Sequence, residues 1–177
     1  LTGPNLTPAR PGRASPCPPQ YLTSGPRSAL APVGPNWSCW RMDFLNMTAL
    51  AQSQAIERGT LSASELMQAT LDRIDAVNSE VNAIVSLRDG DGLMAEARAA
   101  DATPRSGWLH GIPIAIKDLA NAKGLPTSMG SPLFAGQVAA SDDLVVARLR
   151  AAGALIIGKT NTPEFGLGSH TFNPVHG

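Results

Sequence analysis

Two lysines stand in surroundings that could give them chemistry. The stretch from Gly153 to Thr160 reads GALIIGKT. It fits G-x-x-x-x-G-K-[ST], the pattern of a loop whose backbone amides cradle a phosphate, with Lys159 as its cation. Such a loop must follow a strand and open a helix, so that freed amides converge on the anion. Here the order is reversed. A helical pattern stops at Gly153, and the four variable positions Ala154, Leu155, Ile156 and Ile157 are themselves a buried strand, whose amides point at neighbouring strands. Asn161-Thr162-Pro163 then suits a turn and a new helix with Pro163 at its first position. The match is read as accidental, and Lys159 as a strand-end lysine bonding neighbouring carbonyls.

The second lysine lies in LHGIPIAIKDL, from Leu109 to Leu119. Strand alternation puts Ile112, Ile114 and Ile116 on one face and Pro113, Ala115 and Lys117 on the other. One reading of Lys117 is a solvent-reaching side chain with its stem along apolar surface. The other is a buried lysine, whose desolvated ammonium loses its proton readily and becomes a usable base. Asp118 would oppose that shift unless its side chain leaves the opposite face. His110, His170 and His176 have spacings unlike a common metal site and read as structural or exposed.

The elements that would position these residues begin near Met42. Thr48 can cap a short helix through Arg58, stopped by Gly59 in a left-handed conformation. Ser62 and Glu65 have capping-box spacing, with Leu61 and Leu66 as a hydrophobic staple. The helix that follows carries Leu66, Met67, Leu71, Ile74 and Val77 on one side. Val81 to Leu87, bounded by Asn78 and Asp89-Gly90, reads as a strand. Leu93 to Ala102 reads as a helix and Ile112 to Asp118 as a second strand. Ser141 would cap a helix with Asp142 and Asp143 in its first turn and Val145, Leu149 and Ala152 on its buried side. Leu155 to Ile157 is the third strand. Helices alternating with apolar strands imply an α/β layer structure with a mixed, largely parallel sheet flanked by helices.

Residues 1–41 differ in kind. They hold nine of the fifteen prolines, four arginines and no acidic residue, and proline's missing donor and fixed φ oppose packed elements. The segment is expected to be disordered, and not native coding sequence, with residues 42–177 forming the domain. Its two cysteines, Cys17 and Cys39, specify neither a disulfide framework nor a metal site and suit a cytoplasmic protein. The whole chain has a formal net charge of zero, which argues against a nucleic-acid footprint or a polybasic membrane anchor. No apolar run approaches the roughly 20 residues that cross a bilayer.

GIPIAIKDL, then GLPTSMGSPLF, then DDLVVARLRAAGALIIGKTNTPEFGLGSHTFNPVHG, in that order, resemble the amidase signature family of serine hydrolases. The resemblance spans roughly residues 42 to 177 and is to the amino-terminal part of that fold. It implies a Ser–Ser–Lys triad acting on small-molecule amides. Lys117 would be the base, drawing a proton through a serine held in a cis peptide from a second, nucleophilic serine. It implies no cofactor, no metal, no directly bound nucleic acid and no membrane, and it is compatible with a homodimer of the full-length form. Phe165 and Gly166 fall where family members begin to line the acyl pocket, and Met129 would approach the site. The plain alternatives are that Phe165 is core and Met129 fills a gap.

The sequence departs from the family in one respect. Both triad serines belong to a Gly-Gly-Ser-Ser-Gly-Gly block that does not occur before Gly177. Ser128, Ser131 and Ser169 stand in other contexts. The chain is therefore expected to be a fragment that hydrolyses no amide by itself. Its rivals are a nucleotide-binding module on Gly153 to Thr160 and a non-catalytic remnant of a broken gene. Gly166 to Pro174 looks more like the free-standing bacterial amidases than the subgroup that amidates glutamate on transfer RNA. In that subgroup a methionine and an acidic residue tend to replace Thr162 and Pro163.

Overall fold

The computed structural model describes residues 44–177. The expectations for residues 1–41, with Cys17 and Cys39, lie outside the described residues. Helix α1 spans Ala49–Glu57, with Thr48 Oγ1 accepting from the Ala51 amide and Gly59 at φ +67° beyond its end. Helix α2 spans Ala63–Val81 and has the full Ser62–Glu65 capping box. Val81 is thus helical, not the start of a strand. The stop is Asn82, in the left-handed region at φ +47°, a conformation asparagine tolerates better than most residues. Asn78, inside α2, accepts from the Ala83 and Ile84 amides and donates to the Ile84 carbonyl. It thereby fixes the start of strand β1, Ile84–Leu87.

Helix α3 covers Gly90–Ala102, capped by Asp89. Strand β2 is Pro113–Lys117, helix α4 is Leu144–Ala151 and strand β3 is Leu155–Thr160. The α4 cap is Asp143 rather than Ser141. Asp142 and Asp143 also reach outward, accepting from the Lys123 and Asn121 amides, while Arg150 pairs with Asp142 at 3.0 Å. The buried side carries Val146, with Leu149 and Ala152 packed against the core, and not Val145, which is 56 % exposed. Gly153 to Thr160 forms a glycine turn and an extended strand, so the phosphate-loop pattern does not fold as a loop. No helix among the described residues is long and apolar enough to cross a membrane.

The sheet order is β1-β3-β2, with β3 antiparallel to β1 and parallel to β2. One core cluster joins Ile112, Ile116 and Ile156 to Val146, Leu66 and Leu109. The other joins Ile157, Leu155 and Ala115 to Met67, Leu93 and Ala97 of α2 and α3. The alternation expected for β2 is thus observed, with helices on both sides.

The β2–β3 ladder carries a bulge. Ile114 registers with Ile156 but Ala115 with Gly158, so Ile157 is the extra residue. Gly158 is tightly constrained, because a Cβ there would lie 2.3 Å from the Ser86 carbonyl oxygen of β1. Gly158→Ala must push β1 away, and we expect a loss of about 1–3 kcal/mol, the usual range for overpacking. Urea unfolding checks this; a midpoint equal to that of the wild type would show that β1 moves at no cost.

Candidate active site

The end of β2 separates two opposite charges. Lys117 and Asp118 are consecutive, and the pleat sends their side chains to opposite faces. Lys117 is exposed, its side chain has no hydrogen-bond or ion-pair partner among the described residues, and it registers with Thr160 of β3. The desolvated environment considered for this lysine is therefore not built by the described residues. The condition attached to Asp118 is met, since its carboxylate leaves on the other side and is 2 % exposed.

There it meets Lys159. The ammonium of Lys159 is fully buried, 3.0 Å from Asp118 Oδ1. It also donates to the Pro126 carbonyl at 3.0 Å and to Thr127 Oγ1 at 2.9 Å. Its three protons are all used. The expected bonds to neighbouring carbonyls are present in the Pro126 contact. The ion pair with a residue 41 positions earlier had no signal in the sequence. Buried charges persist only when paired and hydrogen-bonded, and this pair is both.

Asp118 also organises the loop that follows β2. It accepts from the Ser128 amide at 3.1 Å and from Ser128 Oγ at 2.6 Å. His176 Nε2 lies 3.2 Å from Ser128 Oγ and 3.9 Å from Asp118 Oδ2. The three residue types are those of a serine-hydrolase triad, but the wiring is different. A triad carboxylate holds the far imidazole nitrogen, leaving the near one to take the serine proton. Ser128 instead sends its proton to Asp118, so His176 can only donate to it. Ser128 is a structural bridge, 4 % exposed, and its Oγ also accepts from the Gly130 amide. Ser131 is fully buried and its hydroxyl has no partner among the described residues; Ser169 is exposed.

The three residues expected to touch substrate gather beside this loop. Met129 has φ +52°, Phe165 φ +53° and Gly166 φ +72°. The Phe165 amide donates to the Met129 carbonyl at 2.8 Å. Phe165 stacks edge-on against Phe134 at 6.2 Å and is 42 % exposed, so it is not core. Gly166 lies against Leu119, two residues beyond Lys117, where a Cβ would come within 2.7 Å of Leu119 Cδ1. Left-handed backbone at a methionine and a phenylalanine is rare and costs about 1–3 kcal/mol at each. Such strain collects where a surface must be shaped for a ligand. All of this lies past the carboxyl ends of the parallel strands β2 and β3, the end of an α/β sheet where ligands bind.

A concavity of about 750 Å³ lies elsewhere, lined by residues including Ile56, Leu61, Glu65, Asp101, Arg105 and His110. None of the expected site residues borders it, and Asp101, Arg105 and His110 are engaged in bonds within the fold. Asp101 caps the start of α2 through the Ala63 and Ser64 amides, and Arg105 holds Ser53. His110 Nε2 donates to the Ala100 carbonyl at 2.9 Å, leaving Nδ1 to accept from Ser106. These are structural bonds. His170 is exposed on the surface.

Comparison with known proteins bears on this arrangement. The family model described as Amidase matches residues 65–177. A glutamyl-tRNA(Gln) amidotransferase subunit from Salinispora arenicola is 42 % identical over 142 residues, covering 76 % of this chain and 29 % of that protein. An indoleacetamide hydrolase from Bradyrhizobium diazoefficiens is 41 % identical over 150 residues, covering 82 % of this chain and 27 % of that protein. The crystal structure of native peptide amidase from Stenotrophomonas maltophilia superposes with a TM-score of 0.63 at 33 % identity, covering 69 % of this chain and 26 % of that one. The chain thus spans less than a third of the length of the curated relatives it matches.

Proposed function

This chain belongs to the amidase family, and from that premise we propose that it is the lysine-bearing part of an enzyme that hydrolyses carboxamides to a carboxylate and ammonia or an amine. In the proposed reaction Lys117 takes a proton relayed through one serine from another. The freed alkoxide adds to the amide carbon, the amine leaves with a proton, and water releases the acyl group from the serine. The observation that carries this reading is the state of Lys117. Its ammonium is unpaired among the described residues, at the carboxyl end of a parallel strand, while its neighbour Asp118 is neutralised on the opposite face.

The substrate is proposed as a carboxamide and no more narrowly. The relatives named for transfer-RNA amidation and for indoleacetamide hydrolysis lie at nearly the same identity. We favour a free-standing amidase on Thr162-Pro163 and the GLGSHTFNP stretch. Hydrolysis of a small carboxamide by the purified enzyme without a partner protein would support that choice, and a strict requirement for a partner would reverse it.

The sequence of 177 residues holds the lysine and not the Gly-Gly-Ser-Ser-Gly-Gly block, so we expect no turnover from it alone. The decisive experiment reads the coding DNA beyond Gly177 and assays ammonia release by the given and extended forms. Turnover by the 177-residue chain that disappears in Lys117→Ala would show that the serines proposed here are not needed.

A further inference from the structure

Asp118 and Lys159 form an ion pair in which the ammonium has every proton engaged and the carboxylate holds three donors. Stability alone does not call for this, since apolar residues of similar volume are commonly as stable or more so. The use of the pair follows from where its atoms reach. Through Ser128, Thr127 and the Pro126 carbonyl it clamps the loop segment 126–128 to the ends of β2 and β3. The next residue is Met129, whose carbonyl receives the Phe165 amide. On the other face of the same strand end stands Lys117, without a counter-charge among the described residues.

We propose that Asp118 and Lys159 are positioning residues for Lys117. The ion pair neutralises the carboxylate next to Lys117, leaving that ammonium unopposed, and it holds the Met129–Phe165 contact in place. The functional meaning of this arrangement rests on the reading of Lys117 as the base; its test does not. His176, with Nε2 3.9 Å from Asp118 Oδ2, is the other titratable group facing the carboxylate among the described residues and is the same in every variant compared.

The test is acetylation of the 177-residue protein with acetic anhydride across a range of pH, with the rate at each lysine read by mass spectrometry. In the wild type, Lys117 should react while Lys159 is protected. In Lys159→Met, read at alkaline pH where the uncompensated carboxylate is ionised, that charge should hold the proton on Lys117, shifting its profile to higher pH and slowing it severalfold at a given pH. In Asp118→Asn/Lys159→Met both charges are gone, and the Lys117 profile should return to within about twofold of the wild type. Asp118→Asn alone leaves Lys159 unopposed and should shift Lys117 to lower pH, which keeps the test open if Lys159→Met does not fold. An unmoved Lys117 profile in the folded single variants overturns the proposal, as does a double variant displaced as far as Lys159→Met. No turnover is read, so failure of the pair to position Lys117 is separate from failure of Lys117 as a base, which appears as activity retained in Lys117→Ala.

Discussion

Lys159→Ala is expected to cost about 3–5 kcal/mol of folding stability, the penalty for removing one member of a buried ion pair. The loss has identifiable parts. The Pro126 carbonyl and Thr127 Oγ1 each lose a donor, and Asp118 keeps Ser128 but loses its counter-charge at 2 % exposure. The carboxylate must then stay charged without compensation or take up a proton, and either is unfavourable near neutral pH. The stem of Lys159 also leaves a cavity. Against the roughly 5–15 kcal/mol that holds a typical domain together, this is about a fifth or more of the total. At about 2–4 °C per kcal/mol for a chain of this size, the melting temperature should fall by roughly 6–20 °C. Circular dichroism on heating measures it. A fall under about 3 °C would mean that water or a shifted loop replaces the lysine, contrary to the burial described here.

Lys117→Ala should do the reverse. Lys117 is exposed and unpaired among the described residues, so its loss should change stability by no more than about 0.5 kcal/mol, the range for ordinary surface substitutions. In a form of the enzyme that carries the serine block, kcat for a carboxamide should drop by about 10²–10⁴-fold, the usual contribution of a positioned general base. The fall should appear in kcat rather than KM, because the proton moves only as the reaction proceeds. Paired assays of ammonia release and melting temperature separate the two lysines. A Lys117→Ala enzyme that is folded and fully active removes the proposed base.

Much of the framework was legible because its signals are local. The Ser62–Glu65 capping box, the Thr48 cap, the Gly59 and Gly153 stops and the alternation of Ile112, Ile114 and Ile116 each depend on residues within a few positions. The errors came where local preference met a longer-range bond. Val81 looked like strand because it is β-branched, but α2 runs on to Asn82 while Asn78 reaches forward to seat β1. Ser141 looked like the cap of α4, but Asp142 and Asp143 are drawn toward Lys123 and Asn121, and the helix begins later with Val146 inward. At the site, Lys117 could be chosen from its strand and its family likeness. The partnership of Asp118, Ser128, Lys159 and His176 could not, because it joins four distant stretches of chain and no spacing encodes it. The left-handed backbone of Met129 and Phe165 was equally silent, since neither residue type favours it.

The extra residue in β3 has a meaning beyond local twist. Continued without a break from Ile114 and Ile156, the register would set Ala115 beside Ile157 and Lys117 beside Lys159. The two ammonium groups would then share one face on strands about 4.8 Å apart, and Asp118 would face its own side of the sheet alone. One inserted residue changes the phase of everything after it. It thereby sorts the lysines, one outward and free, the other inward and neutralised. The sorting depends on the bulge holding Ile157 out of register, since deleting Ile157 would leave Ala115 beside Gly158 and Ile116 beside Lys159 in an unbroken ladder. In this chain the bulge is itself part of the charge design, and the same lysines paired without it would not be the same site.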